Sequence, residues 1–113
     1  MIEVQEKLPG LERIRARFLE MLVERLGEID RLCDSTVSGL SPREALEQVQ
    51  TILHKIAGTA GTLGMGSLGE TARTGENTII AFLGSGGPPK EQVYRSVADF
   101  IILAEETLES ARR

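Results

Sequence analysis

The 113-residue chain has few aromatic residues and almost no cysteine. It contains no Trp, one Tyr and three Phe, and Cys33 is its only cysteine. A single cysteine excludes an internal disulfide and a metal site built from several thiolates. Because aromatics are scarce, the core must be mostly aliphatic, which favours helices packed on helices over a sandwich of sheets.

The chain also lacks an excess of basic residues, since 13 Lys and Arg stand against 17 Asp and Glu, for a net charge of −4. Nucleic-acid backbones are bound by clustered Lys and Arg, so we expect no nucleic-acid partner. The longest apolar runs, Ile79–Leu83 and Phe100–Ala104, are too short to cross a bilayer, and the N-terminus lacks the regions of a signal peptide. We therefore expect a cytoplasmic protein with no membrane association.

Apolar residues recur at helical spacing from Leu11 to about Ser38, which predicts one long amphipathic helix. This pattern places Cys33 on the apolar face as a small core residue. A short lead-in helix over Ile2–Leu8 would precede it and end at Pro9-Gly10.

Three further amphipathic helices are predicted after this segment. Capping boxes mark the start of two of them, Ser41 with Glu44 and Ser67 with Glu70, and the glycine- and proline-rich stretch 84–89 separates the last helix from the others. Four amphipathic helices with short connections predict an all-α fold, an antiparallel up-down-up-down four-helix bundle. We expect residues 1–113 to form this single domain.

His54, the only histidine, lies within the second of these predicted helices and faces away from the core. With about 100° per residue and Val49 set as the core direction, the apolar positions cluster within about 60° of zero, whereas His54 falls near 140°. A lone exposed histidine is more often idle than functional. A neutral imidazole is nevertheless a nucleophile near neutral pH, and it can accept a phosphoryl group without an adjacent base.

Gly58 and Gly61 fall on the same polar side of that helix, near 180° and 120°. Two glycines inside a helix cost roughly 2 kcal/mol relative to alanine. They either leave open space beside the imidazole for a large group or another protein, or they let a neighbouring helix pack closely; their polar position favours open space. Gly75, in the third predicted helix, indicates close packing or a weak point.

The stretch HKIAGTAGTLG resembles the signature of the histidine-containing phosphotransfer (HPt) domains of bacterial phosphorelays. The resemblance also includes the downstream Leu68 and Ala72, and the four-helix architecture extends it over nearly the whole chain. The positions that match the signature in order are His54, Ile56, Ala57, Gly58, Thr59, Ala60, Leu63 and Gly64.

The resemblance implies that His54 is phosphorylated on Nε2 and exchanges the phosphoryl group with an aspartate of a receiver domain. Gly58 and Gly61 would form the docking surface, Lys55 would help to neutralise the phosphate, and Gln50 would border the ring. A Lys or Gln on a polar helix face is otherwise usually only solvated.

The resemblance also implies the partners, namely response-regulator receiver domains and a hybrid sensor histidine kinase. Mg²⁺ would be held by the receiver, because we identify no metal site in this chain. No nucleotide-binding segment is visible, so we expect no autokinase activity, and we expect a monomer. Many family members carry Lys where this chain has Ala57, which would leave Lys55 as the nearest cation.

Other functions fit the sequence less well. The stretch Gly64–Gly69 matches G-x-G-x-x-G, but it follows a helix and not a strand, as a dinucleotide site requires. One histidine cannot supply a di-iron bundle. Only Glu47, two turns away, shares the face of His54 as a carboxylate, so we expect no acid–base catalysis. The remaining alternative is a degenerate helical module that binds receivers or other signalling domains without carrying phosphate.

Overall fold

The computed structural model describes residues 9–112, and all regular structure in this range is helical. This confirms the predicted all-α class, whereas the lead-in helix proposed at Ile2–Leu8 lies outside the described residues. No helix of the described part is long and apolar enough to span a bilayer. The helices are α1 (Pro9–Leu32), α2 (Ser35–Ser38), α3 (Pro42–Thr62), α4 (Gly66–Leu83) and α5 (Lys90–Ala111).

The start of α3 follows its predicted signal. The Ser41 hydroxyl accepts a hydrogen bond from the Glu44 N–H at 3.2 Å, and the Glu44 carboxylate accepts one from the Ser41 N–H at 3.0 Å. This reciprocal pair satisfies backbone donors that the first turn of a helix leaves unpaired. The hydrogen bond from the Ser41 N–H is the main cause that lowers the pKa of the Glu44 carboxyl, and the Ser41 side chain adds to it.

The first predicted helix is too long at its C-terminal end. Helix α1 ends at Leu32, because Asp34 takes an extended conformation (φ −104°, ψ 100°) and caps the separate turn α2 by accepting a hydrogen bond from the Thr36 N–H at 3.0 Å. The chain therefore leaves the helical periodicity just before Cys33. Cys33 is exposed, so its assignment to the core is wrong.

The predicted capping box at the start of α4 is also wrong. At the end of α3, Gly64 has a left-handed conformation (φ 80°) and the Met65 N–H donates to the Ala60 carbonyl at 2.9 Å. This C-terminal motif leads directly into α4, which begins at Gly66. Ser67 therefore already lies inside the first turn, and no side chain caps this helix.

The core forms where the four long helices meet. Helix α4 packs between α3 and α5, and α1 packs against both α3 and α5. Leu53, Ile56 and Ala60 of α3 and Leu68, Ala72 and Ile79 of α4 are buried, so one face of each of these helices is turned toward the core. The largest fully buried side chains are Phe100, Leu22, Ile29, Leu53, Leu68, Ile79, Val49 and Val93.

Candidate functional site

His54 projects into solvent from the middle of α3. Its side chain is 69% exposed, as the helical wheel predicted. The Nδ1 atom lies 2.7 Å from Oε2 of Glu76 on α4. Among residues 9–112, Nε2 has no hydrogen-bond partner. One ring nitrogen is therefore held by the fold and the other is open.

Glu76 determines which nitrogen is open. A carboxylate accepts hydrogen bonds but does not donate them, so in the neutral imidazole this bond favours the ring proton on Nδ1 and the lone pair on Nε2. Glu76 is only 7% exposed, and among the described residues it and Ser96 are the buried polar side chains. A buried carboxylate needs a partner, and the Nδ1–H of His54 supplies it.

Glu76 is not among the site residues predicted from the sequence, because a helical wheel compares His54 only with carboxylates on its own helix. A signal was present in the sequence. Glu76 lies four residues after Ala72 and three before Ile79, so it interrupts the buried stripe of α4 with a charge. An acidic residue at such a position needs a partner on a neighbouring helix.

Two glycines of α4 allow that helix to lie close to α3. A Cβ atom added at Gly69 would lie 3.2 Å from the Ala57 carbonyl oxygen, and one added at Gly75 would lie 2.9 Å from Cδ1 of Leu53. Of the two interpretations of Gly75, close packing is confirmed. The close approach of the helices puts Glu76, next to Gly75, within reach of His54.

The glycines of α3 have different surroundings. Gly58 and Gly61 are exposed, and a Cβ atom added at either would meet no atom within 4 Å. They therefore do not accommodate a neighbouring helix, and the open-space interpretation is confirmed. At these two positions the surface of α3 beyond His54 has room for an approaching group.

The other predicted site residues lie on different sides of α3. Gln50, one turn before His54, is half-buried, and Ala57 is buried against α4 beside Gly69. Lys55 is exposed, but it lines a groove of about 450 Å³ between α1 and α3. The structure thus brings Gln50 and the two glycines to the side of His54 and places Lys55 on the α1 side. The groove is lined by Phe18, Met21, Arg25, Glu28, Gln48, Thr51, Ile52, Lys55, Ile56 and Thr59.

Fold and site together define a class of protein, an all-helical domain that presents one histidine to solvent and holds it through Nδ1. Comparison with protein-family models matches residues 13–112 to the Hpt domain. The chain belongs to the Hpt domain family. The comparisons with curated proteins and with solved structures each found no match.

Family membership gives the chain a phosphotransfer-related role in two-component signalling. Hpt domains are phosphocarriers and not classical enzymes, and they interact with the receiver and kinase domains of phosphorelays. Within residues 9–112 there is no group of three or more His, Cys, Asp or Glu side chains that could hold a metal ion.

Proposed function

We propose that His54 carries a phosphoryl group on Nε2 and exchanges it with the aspartate of a receiver domain. The observation that supports this most directly is the asymmetry of the ring, since Nδ1 is bound to Glu76 while Nε2 is open to solvent. The domain would comprise residues 1–113 as an antiparallel up-down-up-down bundle, a monomer in the cytoplasm of a bacterium.

The transfer needs no proton to move. The Nε2 lone pair of His54 attacks the phosphorus of an aspartyl phosphate on the receiver, and an N–P bond forms as the P–O bond to the aspartate breaks. The bonding electrons leave with the aspartate as a carboxylate. The imidazole keeps its proton on Nδ1 and becomes cationic, and the reverse step returns the phosphoryl group. Because the transition state is loose, positioning and charge supply most of the catalysis.

Glu76 would contribute to both of these requirements. Its hydrogen bond fixes the ring plane and keeps the proton on Nδ1, so that Nε2 is the nucleophile. Its negative charge also stabilises the positive charge that develops on the ring as the N–P bond forms. Glu76 does not touch the phosphoryl group and acts through His54.

The partner would approach over Gly58 and Gly61, where no side chain blocks close contact. Gln50 would border the ring on one side, and Lys55 would meet the partner on the α1 side of the same surface. The receiver would supply the acceptor aspartate and the Mg²⁺ ion, and a hybrid sensor histidine kinase would supply the phosphoryl group. We expect no autokinase activity from this chain alone.

The test is transfer from a phosphorylated cognate receiver in the presence of Mg²⁺, followed by intact-mass analysis. We expect a label on the wild-type protein that is stable in base and lost in acid, and no label on His54→Gln. Gln48→Ala, on the opposite side of α3, serves as a control that should be labelled normally. Labelling of the His54→Gln variant would refute the assignment, and receiver binding without any label would favour the degenerate interaction module.

A further inference from the structure

The phosphoryl group on His54 would carry nearly two negative charges, and its transfer requires a cation close to the ring. Helix α3 has only Arg43 and Lys55 as basic residues. Arg43 lies 11 residues before His54, pairs with Glu47 and donates to the Leu83 carbonyl. Lys55 lines the groove on the α1 side. Arg43 is therefore about 16 Å along the helix from His54, and Lys55 is not on the side of α3 that faces Glu76.

The contacts between α3 and α4 define which residues of the two helices are level. Glu76 bonds to His54, and Gly69 abuts the backbone of Ala57 and Gly61. Residue numbers therefore decrease along α4 in the direction in which they increase along α3, so the two helices are antiparallel here. Arg73 lies between Gly69 and Glu76, and it is level with the part of α3 that begins at His54.

Arg73 also lies on the correct stripe of α4. It is four residues after Gly69 and three before Glu76, and residues at these spacings share one helix face. Both of those neighbours contact α3, whereas Arg73 is exposed and so lies at the outer edge of the stripe. It is the only basic residue of α4.

The guanidinium of Arg73 is uncommitted. None of the ion pairs and side-chain hydrogen bonds formed within residues 9–112 includes Arg73, although Glu70 lies one turn away. On the facing part of α3, Ala57 is small and buried and Gly58 has no side chain. No side chain at these two positions stands between Arg73 and the space beside His54.

We propose that Arg73 is the residue of this chain that binds the phosphoryl group on His54. Its planar guanidinium donates paired hydrogen bonds to phosphoryl oxygens, from a neighbouring helix and across the open surface of α3. Lys55 remains a partner-facing residue on the α1 side. This inference rests on the proposed phosphorylation of His54.

The test uses the purified chain and phosphoramidate as a small phosphodonor, so that no receiver contact enters the measurement. Labelling rates of the wild type, Arg73→Ala, Arg73→Lys and Lys55→Ala are followed by intact mass. We expect Arg73→Ala to be labelled about tenfold more slowly, equivalent to about 1.4 kcal/mol. Arg73→Lys should recover part of the rate, because it keeps the charge but not the paired donors. Lys55→Ala should be slowed less than Arg73→Ala. Equal melting temperatures would show that the fold is intact.

A spectroscopic measurement separates binding from a structural role. The ¹H–¹⁵N signal of the Arg73 side-chain Nε–H, assigned by its absence in Arg73→Lys, should shift when His54 is phosphorylated. A wild-type rate in Arg73→Ala together with an unmoved signal would overturn the inference while leaving phosphorylation of His54 intact. If neither phosphoramidate nor a receiver labelled the wild type, the proposed function would be overturned, and the inference with it.

Discussion

Helices α3 and α4 each carry a pair of internal glycines, and the two pairs have opposite surroundings. On α4, a Cβ atom at Gly69 or Gly75 would press against α3, at 3.2 Å and 2.9 Å from its nearest atom. On α3, a Cβ atom at Gly58 or Gly61 would meet no atom within 4 Å. The same residue type thus allows contact inside the protein in one helix and leaves space outside it in the other.

The two pairs complement each other around His54. The packed pair lets α4 approach α3 closely enough for buried Glu76 to bond Nδ1 of the imidazole. The open pair removes side chains from the surface beside the same ring. One pair therefore orients the imidazole and the other leaves it accessible, although each glycine lowers helix propensity by about 1 kcal/mol relative to alanine.

The largest expected effect comes from filling the packed pair. Gly69→Leu would place a side chain against the backbone of Ala57 and Gly61, which cannot move aside without separating the helices. We expect a loss of about 3 kcal/mol in the free energy of unfolding, measured by urea denaturation. The same substitution at Gly58 should leave the free energy unchanged or slightly higher. Equal destabilisation at the two positions would contradict the distinction between the pairs.

Filling the open pair should impair transfer without harming the fold. Gly58→Leu and Gly61→Leu would each put a branched side chain on the surface over which the receiver approaches. We expect the rate of transfer from a receiver to fall about a hundredfold, or about 2.7 kcal/mol, because the reacting atoms can no longer meet. Labelling by phosphoramidate, which is small, should change little. A wild-type rate with the receiver would show that the partner docks elsewhere.

The sequence predicted the parts of this site that depend on a single helix. The capping box at Ser41, the buried stripe of α3 and the exposure of His54 all follow from local signals and helical periodicity, and the structure confirms them. The open surroundings of Gly58 and Gly61 also followed from their polar position.

Features that depend on two segments could not be predicted in the same way. The pairing of His54 with Glu76 joins residues 22 apart, and a wheel drawn for α3 does not include α4. The apolar periodicity continues through Cys33 to about Ser38, because it carries no information about the extended backbone of Asp34 that ends α1. The apparent cap at Ser67 failed because the end of α3 already determines where α4 begins.

A smaller effect is expected from the residue that the packed pair positions. Glu76→Ala removes the acceptor for Nδ1–H, so the ring can turn and the proton can occupy either nitrogen. We expect about tenfold slower transfer, within the range seen when a residue that orients a reactive group is lost. Glu76→Gln keeps an acceptor of the same size without the charge, so its transfer rate should lie between those of the wild type and Glu76→Ala.

The imidazole ¹⁵N shifts of His54 provide a readout that a change in stability alone would not move. The wild type should show the proton on Nδ1, and Glu76→Ala should show a mixture of the two neutral forms. A single Nδ1–H form in Glu76→Ala would mean that another group orients the ring.

The smallest expected effect separates what Gly58 does to the stability of the helix from what it does for transfer. Gly58→Ala adds a methyl group that meets no atom within 4 Å in the free protein, so the gain in helix propensity should appear almost in full. We expect about 0.8 kcal/mol of added stability and a melting temperature about 4 °C higher. Gly27→Ala is the matched control, because its Cβ would meet only the end of the Arg31 side chain at 3.5 Å. Both variants should be stabilised alike, but only Gly58→Ala should slow transfer from a receiver, since only that methyl group lies beside His54. If both variants transferred at the wild-type rate, the partner would tolerate a methyl group at Gly58 and would not need contact with the bare backbone there.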